Sequence, residues 1–494
     1  MTPAIILTGL VSYFLLLLGI GFVTGRKAGA DEYFLGNKKS IWWLVAIGML
    51  SDSMSGVSFI SVPGNVLKTN FYYMQVILGY VFGYIAIAYV LLPLYYKHNL
   101  TSIYSFLELK LGVAAQKMGA VFFLLSRLVG AAGRLLLTAI ILQKYLFDAW
   151  GFPFYLTVSI IIVLILSYTI KGGIRTLVFT DALQSVFLIG GLVLCIGLMI
   201  SHIPTIPGRE SLWRMVADSG YSSMFNWDVY AKSNFFKHFL GGAFMCIAMT
   251  GLDQNMMQKN LSCKSLKEAQ KNMLTTAGVI FFVNILFLSL GIFMIEYLQA
   301  HNPEMLDPAN YANGKVYTDG FFPFIALNHL GPIAGLAFIL GLSAATFSSA
   351  DSVLTTLTTS AYIDLFGFDK QKNLNEKQQR YRRVGLHIGF SVALLFTILF
   401  LRDVFNVAII ELVLGLAAYT YGPLLGLFAL GIFTSRKPQG WGVVLVSILA
   451  PIVCGLTEYV WMANAHYKFG YEMLIINGLL SFVGYLLIPQ RIKA

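Results

Sequence analysis

Residues 51–58 read Ser51-Asp52-Ser53-Met54-Ser55-Gly56-Val57-Ser58, and Pro63-Gly64 follows shortly after. Four serines, an aspartate and a glycine here interrupt an apolar helix that starts near Ile41. Serine hydroxyls compete with the backbone for its hydrogen bonds, and glycine lowers helix stability. The helix is therefore expected to unwind in its middle. Inside a bilayer, unwound backbone is tolerated only where it lines a cavity or is buried in protein. Its freed carbonyls are then hard oxygen ligands, suited to Na+. The competing reading is close helix packing through small residues.

The surrounding chain makes this a membrane question. Of 494 residues, 57% are apolar and 12% charged, against about 25% charged in soluble domains. A helix needs roughly 20 apolar residues to span the hydrocarbon. Thirteen stretches qualify: 4–25, 41–67, 72–96, 118–147, 153–170, 177–202, 234–258, 272–298, 322–362, 383–401, 405–433, 439–462 and 471–489. The stretch 322–362 is too long for one straight crossing, so a loop or separate short helix is expected within it. The first apolar run, Ile5 to Val23, ends in Gly25-Arg26-Lys27 without a small-residue cleavage site. It is expected to remain as a span.

Of 34 lysines and arginines, 23 fall in one set of alternate loops, including Lys38 and Lys39, Lys259, Lys264 and Lys267, and Arg380 to Arg383. The positive-inside rule makes that set cytoplasmic. The N-terminus is then outside and the C-terminus inside, in a multi-pass protein of the cell membrane, most simply a bacterial inner membrane. The net charge of +11 thus reflects topology and implies no nucleic-acid partner; the lipid bilayer is the surface it serves. Cys195, Cys246, Cys263 and Cys454 show no paired spacing, which suggests neither a metal site nor a disulfide framework. The sequons at Asn99 and Asn260 fall in loops assigned to the cytoplasm, so glycosylation is not expected. Nothing in the sequence sets the oligomeric state; a monomer is sufficient.

Ionisable residues within spans are costly and mark function by default. They are Asp52, Arg127, Arg134, Asp181, Asp253, Asp351 and Glu411. Structural ion pairs and residues snorkelled to span ends are the alternative for each. In Ala345-Thr346-Phe347-Ser348-Ser349-Ala350-Asp351-Ser352, positions 345, 348, 349 and 352 share one helical face. A hydroxyl stripe bordered by one carboxylate suits a hard cation. Hydroxyls bonding back to their own helix would look the same. Asp181, in Thr180-Asp181-Ala182-Leu183-Gln184 after the turn Tyr168-Thr169-Ile170-Lys171-Gly172-Gly173, either caps its helix or reaches toward Asp351.

These segments resemble the sodium:solute symporter family. The resemblance is carried by Asp31-Glu32-Tyr33-Phe34-Leu35-Gly36 with Trp42-Trp43, by Ser55-Gly56-Val57-Ser58-Phe59 to Pro63-Gly64, and by Gly172-Gly173 to Thr180-Asp181 and Gln184. Asp253-Gln254 with Gln258-Lys259-Asn260-Leu261, the Lys264 to Ala269 run, and Gly422-Pro423-Leu424-Leu425-Gly426 continue it in the right order. It implies an all-α fold of the LeuT-like inverted-repeat type. Residues 1–40 would hold a leading helix and loop, 41–202 the first five-helix repeat, 203–233 an extracytoplasmic loop, 234–433 the second repeat and 434–494 two further helices. Each repeat would open with a broken helix, near Ser53–Gly56 and near Gly251, with solute and ions bound between the repeats.

Residue by residue, the resemblance implies a shared Na+ site on the carbonyls of Ser51, Met54 and Ala345 and the hydroxyls of Ser348 and Ser349. A second cation site found in some relatives would fall on Asp181, Ser348, Asp351 and Ser352. One or two Na+ are therefore expected. Asp351 and Asp52 depart from the family pattern, and Asp351 can take either a cation or a proton. The solute site would fall on Ser53, Ser55, Ser58, Tyr73, Arg134, Asp253, Met256, Thr420 and Tyr421. Arg134 coincides with an arginine that binds a substrate carboxylate in the sialic-acid branch, although Ile77 replaces a polar position of that branch. The expected activity is Na+-coupled import of a small organic solute bearing a carboxylate, sialic acid or another organic anion. A sugar or amino acid is the alternative solute, and a structural salt bridge to Asp52 or Asp253 is the alternative role for Arg134. An intramembrane enzyme needs a nucleophile–base or metal constellation, and none of the seven histidines pairs by motif with a serine or cysteine of a span. A channel would need pore-lining rings, which the asymmetric pattern does not offer.

Overall fold

The computed structural model describes residues 2–24, 30–204, 211–311, 316–371, 375–404, 409–465 and 469–490. The side chain of Glu411 lies outside the described residues. The described chain is built of helices, with two isolated bridges, Ser40 to Cys263 and Pro438 to Gln490. Among the described residues nine helices are long and apolar enough to cross a membrane, or eleven if each of two bent pairs is one span. Thirteen is reached only if the shorter apolar helices Phe154–Ile170 and Met473–Leu487 also cross.

The expected break lies at Met54 and Ser55. Helix Trp42–Ser53 stops there, and Gly56–Thr69 departs at 60° to it. Met54 and Ser55 are both extended, and the Ser55 hydroxyl caps the new helix by accepting from the Ser58 N–H. The second break falls at Leu252 and Asp253, one residue beyond the expected position, with a 63° bend between Phe235–Gly251 and Gln254–Leu261. A wide π turn over Ile247–Gly251 leads into it, and Asp253 caps the following helix by accepting from the Met256 N–H at 3.2 Å. Capping residues of this kind meet the orphan donors of a helix start, which a broken span needs twice.

Helix Gln254–Leu261 carries four amides and a lysine, yet all eight residues are buried. Its polar groups are met by protein: Gln254 accepts from the Ile103 N–H at 2.9 Å, Gln258 donates to the Phe34 carbonyl at 2.7 Å, and Asn272 donates to Asn260 at 2.7 Å. Asn260 is thus no glycosylation site but an interior residue, a difference from the loop expected around it. The four cysteines are buried and free.

The long stretch at 322–362 divides as its length required. Phe321–Phe324 continues as a π turn over Ile325–His329, and helix Gly331–Ser360 begins after the break. From Ser343 to Ser360 every residue of that helix is buried, so it forms the axis of the molecule. It packs against both halves of the first broken helix and against Phe154–Ile200. The turn expected over Tyr168 to Gly173 narrows to Gly173, where φ is 55° and a Cβ would lie 2.4 Å from the Tyr33 carbonyl oxygen.

Gly56, just past the first break, touches the axial helix: a Cβ there would meet the Thr346 hydroxyl at 2.1 Å and that of Thr138 at 3.0 Å. The two threonines are themselves hydrogen-bonded at 2.6 Å, so neither can move freely. Overpacking a fixed contact costs about 1–3 kcal/mol. Gly56→Ala is expected to lower the unfolding midpoint of the detergent-purified protein, whereas Gly190→Ala, with open space around it, should not. Equal midpoints for the two variants would contradict the close packing at the break.

Candidate functional site

A cavity of about 100 Å³ opens beside the first break. Six of the nine expected solute residues line it: Ser53, Ser55, Ser58, Tyr73, Arg134 and Met256. Asp253, Thr420 and Tyr421 do not. Thr420 bonds back to the Leu416 carbonyl at 2.9 Å. Asp253 is fully buried, salt-bridged to Arg127 at 2.5 Å and bonded by the Tyr421 hydroxyl at 2.7 Å. Those two expected solute residues therefore bond to each other. Sequence reasoning missed Tyr80, Tyr84, Thr250 and Asn284, which also line the cavity. Tyr80 and Tyr84 had a signal: with Tyr73 and Ile77 they follow the spacing of one helical face.

Arg134 and Arg127 both reach this cavity, in different states. Arg127 holds Asp253 and donates to the Met249 carbonyl at 2.7 Å. No hydrogen bond or ion pair joins Arg134 to any described residue. Its two candidate acids are taken, Asp253 by Arg127 and Asp52 by Lys259.

The two breaks differ in how their carbonyls are met. At the second, Met249, Gly251 and Leu252 accept from Arg127, Tyr95 and Tyr104 at 2.7, 2.8 and 3.1 Å. At the first, no described group donates to the carbonyl of Ser51 or of Met54. Ser185 also bonds to the last turns before it: its hydroxyl donates to the Ile47 carbonyl at 2.5 Å and accepts from the Ser51 N–H at 3.1 Å. On helix Gly331–Ser360, the Ser348 hydroxyl is buried without a partner among the described residues. Ser349 instead bonds back to the Ala345 carbonyl at 3.1 Å. The hydroxyl stripe is thus divided: Ser349 satisfies itself on its own helix, and Ser348 does not.

The set Asp181, Ser348, Asp351 and Ser352 is not open as the sequence suggested. Lys259 is not in a cytoplasmic loop, where the charge pattern put it, but 1% exposed on Gln254–Leu261. Its ammonium donates to Asp52, to Asp181 at 2.5 Å and to Ser352 at 2.8 Å. Asp181 therefore reaches across the fold, and its partner is a lysine. Asp351 accepts from the Tyr168 hydroxyl at 2.7 Å through one oxygen, while the other is buried without a partner. Lys259 escaped sequence reasoning because Lys264, Lys267 and Lys271 follow it closely, so it read as the first of a loop cluster.

Removing one member of a buried ion pair leaves an uncompensated charge and costs about 3–5 kcal/mol. Asp253→Ala should therefore destabilise the protein on that scale, and Arg127→Met in the same chain should restore part of the loss. A thermal double-mutant cycle measures this. Additive losses would show that Arg127 and Asp253 act separately.

Similarity to known proteins covers almost the whole chain. The family described as SSF, sodium:solute symporter family, matches residues 33–442. The sodium/sialic acid symporter SiaT of Proteus mirabilis is 26% identical over 454 residues, covering 88% of this chain and 86% of that protein. The human sodium/iodide cotransporter is 23% identical, over 90% of this chain and 67% of its own. Among solved structures, the substrate-bound outward-open state of a Na+-coupled sialic acid symporter superposes with a TM-score of 0.82 at 20% identity, covering 99% of both chains. That likeness gives the fold, the LeuT-like inverted repeat with broken helices.

Proposed function

This chain belongs to the sodium:solute symporter family, and we propose that the solute it moves with Na+ is a small molecule bearing a carboxylate, held by Arg134. The chain is a multi-pass membrane transporter, not an enzyme. Its coupling ion is Na+, and its relatives include sodium/sialic acid symporters. The observation that carries the proposal is Arg134 itself, a guanidinium facing a cavity with no acid bonded to it among the described residues. A half-buried charge without a protein partner is costly, and a carboxylate matches the guanidinium fork with two parallel hydrogen bonds. Ser53, Ser55 and Ser58 supply hydroxyls, and Tyr73, Tyr80 and Tyr84 an aromatic wall, around the rest of the solute. Sialic acid, the cargo named for two of the relatives, has the required carboxylate. Ile77 in the wall favours a less polar organic anion at that position.

The Na+ of the shared site is assigned to the carbonyls of Ser51, Met54 and Ala345 and the hydroxyls of Ser348 and Ser349. Open acceptors at Ser51 and Met54 and the unpartnered Ser348 hydroxyl support this, since buried acceptors are otherwise paired. The repeats are taken as 41–202 and 234–433. The N-terminus is placed outside and the C-terminus in the cytoplasm, in a bacterial inner membrane.

Two measurements test this reading. Arg134→Lys keeps the charge and loses the fork, so half-saturation for a carboxylate solute in proteoliposome uptake should rise at least tenfold, with Na+ binding alone unchanged. Normal transport of a neutral solute by that variant would make the arginine structural. Ser348→Ala with Ser349→Ala should raise the Na+ concentration for half-maximal uptake several-fold; an unchanged Na+ dependence would remove these hydroxyls from the site.

A further inference from the structure

Lys259 draws oxygens from three elements onto one nitrogen. Asp52 comes from Trp42–Ser53, Asp181 from Phe154–Ile200 and Ser352 from Gly331–Ser360. All four residues are buried. The ammonium thus sits among two carboxylates and a hydroxyl, a set of hard oxygen ligands that would equally suit a monovalent metal cation. Asp181 and Ser352 are also two of the four residues that the family resemblance assigns to a second Na+.

We infer that the Lys259 ammonium is this transporter's own second cation, tethered to the chain, so that the protein binds one Na+ and not two. The oxygens left over do not make another site. Ser348 belongs to the shared site as well, and its hydroxyl is available to the single Na+ there. Asp351 has one oxygen on Tyr168 and one without a partner, and a lone carboxylate oxygen is too little to replace a hydration shell. A Na+ on Asp181 would also lie within a few ångströms of the ammonium, and like charges that close repel. Asp52 adds to the arrangement: it lines the solute cavity and grips Lys259, so the tethered charge joins the cavity wall to Asp181. The inference rests on the Na+ site proposed at Ser348 and Ser349.

Binding of radioactive Na+ to the purified full-length chain, without solute, counts the sites. Wild type is expected to bind one Na+ per chain with a Hill coefficient near 1. Lys259→Gln vacates the oxygens, so its count should rise to two, and Asp181→Asn added to it should return the count to one. Two Na+ on the wild type would overturn the inference, and this holds even if Lys259→Gln does not fold. One Na+ on a folded Lys259→Gln would overturn it as well, because the vacated oxygens would then hold no cation. A wild type that binds no Na+ would remove the Ser348 and Ser349 site first, and the inference with it.

Discussion

A broken helix inside a bilayer has no water to complete its backbone hydrogen bonds, so each break must find its partners in protein or in cargo. This chain makes two breaks and treats them differently. At Leu252 and Asp253 the loose carbonyls are closed by Tyr95, Tyr104 and Arg127. Arg127 is held in turn by Asp253, which also caps the next helix. One carboxylate thus seals the corner. At Met54 and Ser55 no described group donates to the carbonyls of Ser51 and Met54, the Ser348 hydroxyl has no partner among the described residues, and Gly56 just beyond the break packs on Thr346. The closed break is held by protein alone, and the open one keeps backbone acceptors to which no described group donates.

The sequence made the open break legible because its cause is local. Serines, a glycine and an aspartate within eight positions are enough to weaken a helix whatever surrounds it. The second break lies one residue beyond its expected place, and it is held by Asp253 meeting Arg127, a partner 126 positions away. The same limit explains Asp253 and Tyr421. The family resemblance put them with the solute, but a buried hydrogen bond between them is a tertiary fact. Lys259 failed for a different reason. The positive-inside rule treats charge as an address, and it holds for lysines that can reach water. It has no means to recognise a lysine whose helix is polar, short and wholly enclosed. The neighbouring amides Gln254, Asn255, Gln258 and Asn260 were the sign that this segment had protein around it, since so many amides need fixed partners.

Charge bookkeeping in the interior then links structure to work. An ammonium and a Na+ about 4 Å apart repel by roughly 4 kcal/mol at an effective dielectric near 20, more than most single contacts in the site could offset. On the proposal that Lys259 stands in for a second cation, coupling falls on one Na+. A tenfold Na+ gradient supplies about 1.4 kcal/mol, and each net charge crossing ~100 mV supplies about 2.3 kcal/mol more. Two Na+ with a monoanion would combine to about 5 kcal/mol, a several-thousand-fold solute gradient. One Na+ with a monoanion moves no net charge and retains only the first term, about tenfold. One Na+ with a zwitterion or neutral solute recovers the electrical term, to about 3.7 kcal/mol. On that proposal the lysine sets more than the number of ions. It makes the charge of the solute decide whether the membrane potential contributes, so the solute group proposed for Arg134 and the ammonium that Asp181 holds belong to one thermodynamic balance.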